Sequence, residues 1–280
     1  MDRGFKTKRD ETIGPFGAPL EPDKIQKGLL TARLGNRIHY LLQTDSTNAY
    51  ARKLAQEGAV EGEVVIAEAQ VAGKGRMGRS WVSPPGVNLY LSVILRPRLS
   101  PVHAPQLTLM AAVALAETVW SFISFPPEIK WPNDILVGGK KLAGILAESS
   151  CETHKILFVV VGIGVNLNYL PERMPAAIKQ SATSIMALMQ MPVDRIAFTR
   201  RLIQDLDQCY GDLEAKGFAS VAPRWESFCR LKGQKVRVTM IDRSIIGKAM
   251  GIDDDGALIL KDEGGARHKI LVGDVIPIDR

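Results

Sequence analysis

Gln70-Val71-Ala72-Gly73-Lys74-Gly75-Arg76-Met77-Gly78-Arg79-Ser80-Trp81 alternates three glycines with three cations and closes on a tryptophan. Glycines let a backbone take positive φ and approach a ligand closely. Lys74, Arg76 and Arg79 bring positive charge to the same loop. Such a loop is expected to fold over an anion, a phosphate before others, with backbone N–H groups and guanidinium forks as donors. It is not Gly-x-x-x-x-Gly-Lys-Ser/Thr, so it is no Walker loop. Gly73-x-Gly75-x-x-Gly78 matches the dinucleotide spacing, but Trp81 and a Pro-rich turn follow where a helix should open. Taken alone, the run also fits a solvated surface loop. Its surroundings decide between the two.

The strand Val64–Ala69 delivers the chain to this loop, and Ser83-Pro84-Pro85-Gly86 turns it into a second strand, Asn88–Leu95. Upstream, the strand Ile38–Leu42 runs into Asp45-Ser46-Thr47-Asn48 and a helix ending at Gly58. Ser46 or Thr47 can cap that helix; three polar residues in a row leave hydroxyl and amide groups for a ligand. Downstream, Leu107–Trp120 is a buried helix, and His103 before it is a surface or capping residue. In the stretch 128–148, Gly138-Gly139 makes a tight hairpin turn. Lys141, inside a strand, is either a snorkelling edge residue or a lysine aimed into a cleft. Trp131-Pro132-Asn133-Asp134 is either a site element or only a turn. Ile156–Asn168 is a buried central strand whose terminal glycines imply close approach by a ligand or a neighbouring strand. The helices Asp194–Lys216 and Val221–Phe228 are read as packing. From Gly233 onward, the short strands Lys235–Thr239, Ser244–Ala249, Ala257–Leu260 and Lys269–Val272, separated by Asp253-Asp254-Asp255-Gly256 and Glu263-Gly264-Gly265, give a small SH3-like barrel. The triple Asp is read as a turn, not a metal site.

The chain has 280 residues, enough for one large domain and one small one. Its 46% hydrophobic and 24% charged residues are ordinary for a globular protein. No apolar run is seen to approach the roughly 20 residues of a bilayer span, and Met1–Lys6 lacks the apolar core of a signal peptide. Cys151, Cys209 and Cys229 are scattered and odd in number, which fits reduced thiols in a cytoplasmic protein. A net charge of +6 suits anionic ligands without identifying one.

Taken in order, Asp45–Asn48, Gln70 with Gly73–Trp81, Lys130–Asp134, Lys141–Leu146 and Gly162–Asn166 resemble the motifs of biotin protein ligases over about residues 36–280. The resemblance implies an α+β fold: a mixed central sheet flanked by helices, of the class II synthetase-like biotin/lipoate ligase type, plus the C-terminal barrel. It divides the chain into an extension (1–35), a catalytic domain (36–231) and the barrel (232–280). It implies ATP, magnesium and biotin as reactants, biotinyl-5′-AMP as the intermediate, and a lysine of a biotin carboxyl carrier protein as the acceptor.

By motif position, Ser46, Thr47, Asn48, Gln70, Gly73, Lys74, Gly75, Arg76, Lys141 and Gly144 would hold biotin. Lys74, Arg76, Arg79, Trp81, Lys130, Asn133 and Asn166 would hold ATP. Lys141, Arg76 and Asp134 would be catalytic, with Asp134 taking a proton from the incoming amine or orienting it. The alternatives for Asp134 are to hold magnesium or only Lys141. The family's usual Arg is Lys74 here, which cannot form a bidentate fork. About 35 residues precede the core, too few for a winged helix, and residues 22–34 resemble the linker that follows one. The expectation is a ligase-only form with no specific DNA or membrane binding and a possible homodimer. Alternatives are a lipoate or octanoate ligase or transferase of the same fold, whose Arg-Arg-x-x-Gly-Gly-Gly loop is absent here, a DNA-binding biotin sensor, and a non-catalytic biotin-binding module.

Overall fold

The computed structural model describes residues 18–278; the extension expected over 1–35 lies outside them up to residue 17. Seven strands form the main sheet: β1 (Ile38–Leu41), β2 (Val64–Ala67), β3 (Leu89–Leu95), β4 (Glu128–Lys130), β5 (Asp134–Val137), β6 (Lys140–Glu152) and β7 (Lys155–Val165). Their spatial order is β1-β2-β3-β7-β6-β5-β4. The β1–β2 pair is parallel and every other neighbouring pair antiparallel, so the sheet is mixed as expected. β7 sits at its centre, flanked by β3 and β6. Gly138 and Gly139 both take positive φ and close the β5–β6 hairpin, the twist that matches flanking strands.

The helices are α1 (Pro22–Gln26), α2 (Thr47–Gln56), α3 (Ala104–Trp120), α4 (Ala176–Lys179), α5 (Ile185–Met189), α6 (Arg195–Lys216) and α7 (Ala222–Phe228). Alternation along the strands separates the two faces of the sheet. On β7, Val159, Val161, Ile163 and Val165 join the large core beneath α3 and α6, whereas Phe158 and Val160 pack with Ala51 and Ala55 of α2. Apolar residues surround α3 on nearly all sides, so it is buried between sheet and α6. Together with the short 3-10 turn before it, Pro101–Trp120 is 20 residues long and apolar enough for a bilayer span by length and composition. The expectation that no run approaches that length is therefore corrected; most of this segment is buried inside the fold. Asp194 caps α6 by accepting from the Ile196 and Ala197 amides.

Residues 18–35 pack into the main core through Leu20, Ile25 and Leu34. The segment is clasped by a buried ion pair, Arg195 Nη1 to Glu68 Oε2 at 2.9 Å. Arg195 Nη2 also donates to the Ala18 carbonyl, and Glu68 Oε1 accepts the Leu20 amide at 2.8 Å.

The C-terminal unit is antiparallel: β8 (Lys235–Thr239), β9 (Ser244–Ile252), β10 (Leu258–Lys261), β11 (Arg267–Ile270) and β12 (Asp274–Pro277), in the order β11-β10-β9-β8-β12. It is the small all-β unit expected, but among the described residues no pairing of β11 with β12 closes it into a barrel. β12 was not among the strands anticipated. The triple Asp is a turn: Asp253 Oδ1 accepts the Asp255 and Ala257 amides. That turn rests on the start of α3, where Gln106 donates to the Asp254 carbonyl at 2.6 Å and His103 pairs with Asp255 at 3.1 Å. Burial pushes the Cys209 and Cys229 thiols up to about 12, which leaves them protonated and unreactive at neutral pH.

Removing one partner of a buried ion pair leaves the other charge uncompensated, at a cost of about 3–5 kcal/mol. Arg195→Met is therefore expected to lower the unfolding free energy by about that amount, read as a reduced midpoint in urea titration.

Candidate active site

The site is built where one face of the sheet runs out of bulk. Along β7 the residues under α2 shrink from Phe158 and Val160 to Gly162 and Gly164. Cross-strand pairing puts Gly144 opposite Gly164, and both Leu146 and Ser92 opposite Gly162. A Cβ at Gly162 would lie 2.0 Å from Asn48 Oδ1, and one at Gly164 would lie 2.5 Å from the Trp81 indole. The close approach inferred for these glycines is thus made by two side chains, one from α2 and one from the Gly/Arg loop. The Trp81 Nε1–H is buried without a partner among the described residues.

The Gly/Arg loop is an ordered hairpin whose outer residues, Lys74 and Met77 to Ser80, are exposed. Trp81 N donates to the Gly73 carbonyl at 2.8 Å, and Gly75 N donates to the Arg79 carbonyl at 2.7 Å. Lys74 and Ser80 form the bridge between them. At the tip, Met77 (φ 54°) and Gly78 (φ 74°) are both left-handed, the signature of a tight two-residue turn. Gly73 has no room for a side chain, since a Cβ would lie 2.6 Å from the Trp81 carbonyl.

Ser46, Thr47 and Asn48 open α2 in the wall of the cavity. Ser46 is the N-cap residue, yet its hydroxyl makes no capping bond. Gln70 is held at both ends: Oε1 accepts the Thr47 amide at 2.9 Å, and Nε2 donates to Ser83 Oγ at 2.9 Å. Asn48 is fully engaged, donating to the Leu146 carbonyl and to Glu148 and accepting from Ser92. It locks α2 onto the sheet and has little left to offer a ligand.

Lys141 lies in the cleft. A register shift between β5 and β6 re-aims it. Its Nζ is 2.7 Å from Asp134 Oδ1 and 5.4 Å from the centre of the Trp81 ring. Holding Lys141 was the alternative given for Asp134, beside the expected role toward the incoming amine, and the two side chains do form an ion pair. Arg76 Nη1 donates to Asn133 Oδ1 at 3.0 Å, which fixes the guanidinium over the same cavity. Burial, and to a smaller extent neighbouring Arg79, pull the Arg76 pKa below its usual value; Asp134 opposes the shift.

One cavity collects Ser46, Thr47, Asn48, Gln70, Lys74, Gly75, Arg76, Arg79, Trp81, Asn133, Asp134, Lys141 and Gly144 from the sequence expectation. Gly73, buried at the base of the hairpin, is not in the lining. Lys130 and Asn166 are not in the lining. The Asn166 side chain instead donates to the Thr183 carbonyl and accepts from Asn88. Sequence reasoning missed Ser83, Ser92 and Glu148, which hold the polar wall in place, and Asp274, which enters the cavity from the C-terminal unit. Each is a single polar residue in a strand or turn with no local pattern to mark it.

Residues 40–166 match the model of the biotin/lipoate A/B protein ligase family, and residues 232–276 match that of the biotin protein ligase C-terminal domain. The chain is 37% identical over 256 residues to the bifunctional ligase/repressor BirA of Bacillus subtilis, covering 91% of this chain and 78% of that protein. The chain belongs to the biotin protein ligase family. It is also 35% identical to the biotin–[acetyl-CoA-carboxylase] ligase of Mycobacterium tuberculosis, with 92% and 96% of the two chains covered. Among solved structures, the biotin protein ligase of Aquifex aeolicus in complex with biotin and ATP superposes with a TM-score of 0.74 at 27% identity. That match covers 86% of this chain and 98% of the Aquifex chain. Within this family the mixed sheet and the C-terminal β unit are the expected pair of parts.

If the glycine floor admits Trp81 as described, Gly164→Ala should displace the indole and weaken ligand binding by about tenfold or more, roughly 1.4 kcal/mol. Displacing the packed indole should also lower the thermal midpoint, at the usual overpacking cost of about 1–3 kcal/mol. Calorimetric titration beside a melting curve checks both.

Proposed function

We propose that this chain joins biotin to a lysine of a biotin carboxyl carrier protein at the expense of ATP, in the cytoplasm. The observation that carries the reading is the convergence of the cationic hairpin, the Lys141–Asp134 pair and the hydroxyl-and-amide wall of α2 on one cavity. Membership of the family supplies the substrate class.

In the first step a carboxylate oxygen of biotin bonds to the α-phosphorus of ATP, and the bond from that phosphorus to the pyrophosphate oxygen breaks. Two anions must meet, so the local field has to be positive. Lys141 can sit between carboxylate and phosphate, while Arg76, with Lys74 and Arg79, neutralises the polyphosphate. Ser46 and Thr47, backed by Gln70, would bind the uncharged ring of biotin. In the second step the lysine amine attacks the acyl carbon of biotinyl-AMP, AMP leaves, and the amine's proton passes to Asp134 or to solvent. The mixed anhydride is hydrolysable, and the hairpin with Trp81 would cover it against water.

Magnesium is read as arriving with the nucleotide. Among the described residues no group of three His, Cys, Asp or Glu could hold a metal. Asp134 and Asp274 are both paired with cations.

With magnesium and labelled ATP, pyrophosphate release is expected with biotin and not with octanoate. Release with octanoate alone would move the assignment to the lipoyl branch of the fold. Lys141→Ala should abolish release while circular dichroism stays native; normal turnover would remove Lys141 from the chemistry. Arg76→Gly should let the adenylate escape and label bystander lysines, scored by streptavidin blot against an unrelated protein.

A further inference from the structure

The hairpin cations are already engaged by an acid of the other domain. Arg79 forms an ion pair with Asp274, and Arg76 Nη1 lies 4.0 Å from the same carboxylate. Arg76 Nη2 also donates to the Gly273 carbonyl at 3.3 Å. Asp274 opens β12, the edge strand of the C-terminal sheet, and lines the cavity. A planar guanidinium presents one fork to an anion, whether carboxylate or phosphate. A polyphosphate held by Arg76 and Arg79 must therefore either expel Asp274 or accept a like charge beside it.

We propose that Asp274 is an internal counter-anion: it occupies the polyphosphate's place on Arg76 and Arg79 when the site is empty, and phosphate displaces it. Occupancy of the cavity is thereby passed to the C-terminal sheet. The inference rests on the reading that this cavity takes a nucleotide. The C-terminal unit has a second anchor, the Asp253–Gly256 turn on α3, which does not involve the hairpin. Displacing Asp274 thus frees one edge of the unit while the other stays docked. A purely structural latch has the opposite signature, because loosening it would disorder the hairpin and weaken phosphate binding.

The test uses the full chain and inorganic pyrophosphate as the probe. By calorimetry, Asp274→Asn is expected to bind pyrophosphate about tenfold more tightly than the unaltered chain, within the usual range of site-to-site coupling. The gain should vanish in an Arg79→Ala background. Unchanged or weaker binding in a folded Asp274→Asn variant overturns the proposal, as does failure of both chains to bind pyrophosphate. Should that variant not fold, hydrogen exchange on the unaltered protein decides. Pyrophosphate should speed exchange in residues 272–277 and leave 253–256 unchanged; no change in 272–277 overturns the proposal. Biotin-dependent pyrophosphate release is scored separately, so a wrong substrate assignment would show there and leave the pyrophosphate titration intact.

Discussion

The site depends on an absence of side chains. Where β6 and β7 pair Gly144 with Gly164, the sheet offers bare backbone, and the Trp81 indole settles onto it. That contact fixes the end of the Gly/Arg hairpin. Fixing the hairpin places Arg76 against Asn133 and brings the indole within cation–π reach of Lys141. Two residues back along β7, Gly162 does the same for Asn48, which seats α2 and with it Ser46 and Thr47. The polar wall and the cationic cover are thus registered to one another through three glycines on a single rigid ladder. Sites carried on such elements hold their geometry better than sites carried on loops alone.

Much of this was legible in the sequence because it was written in patterns that local physics enforces. Glycines at the end of an apolar strand, paired glycines between strands, and alternating Gly and Arg before a Trp each have a mechanical reason. The hydrophobic periods placed α3, α6, α7 and the central strand within three residues of their ends, but the short α4 and α5 were not anticipated. What stayed hidden was long-range. Asn48 looked available to a ligand, but residues about 100 positions away consume its amide. Asn166 turned toward Asn88 and Thr183 for the same reason. Asp274 has no local signature; only the packing of the two domains brings it to the hairpin, 195 positions from Arg79 in one chain. β12 escaped because four residues with an exposed outer face carry little periodicity.

Charge in the molecule is compartmented. Glu68 and Arg195 neutralise each other inside the protein, where they tie residues 18–20 to the strand that feeds the hairpin. At the cavity the balance differs: Lys74, Arg76, Arg79 and Lys141 face only Asp134 and Asp274. The surplus is positive and lies under a half-buried cover, which is how a site attracts an anion without attracting it everywhere on the surface.

Alternation along β6 and β7 also bears on how this site can vary among relatives. The glycines under Asn48 and Trp81 alternate with residues of the main core that also border the cavity: Gly144 beside Ile145, Gly162 and Gly164 around Ile163. A one-residue insertion here would exchange the two sets and put isoleucine side chains where the indole and Asn48 sit. The floor is therefore closed both to added side chains, which Asn48 and Trp81 would meet, and to length changes. Those are left to the far end of the hairpin, near Thr153 and His154, where the ladder already carries an irregularity at Ser150–Cys151.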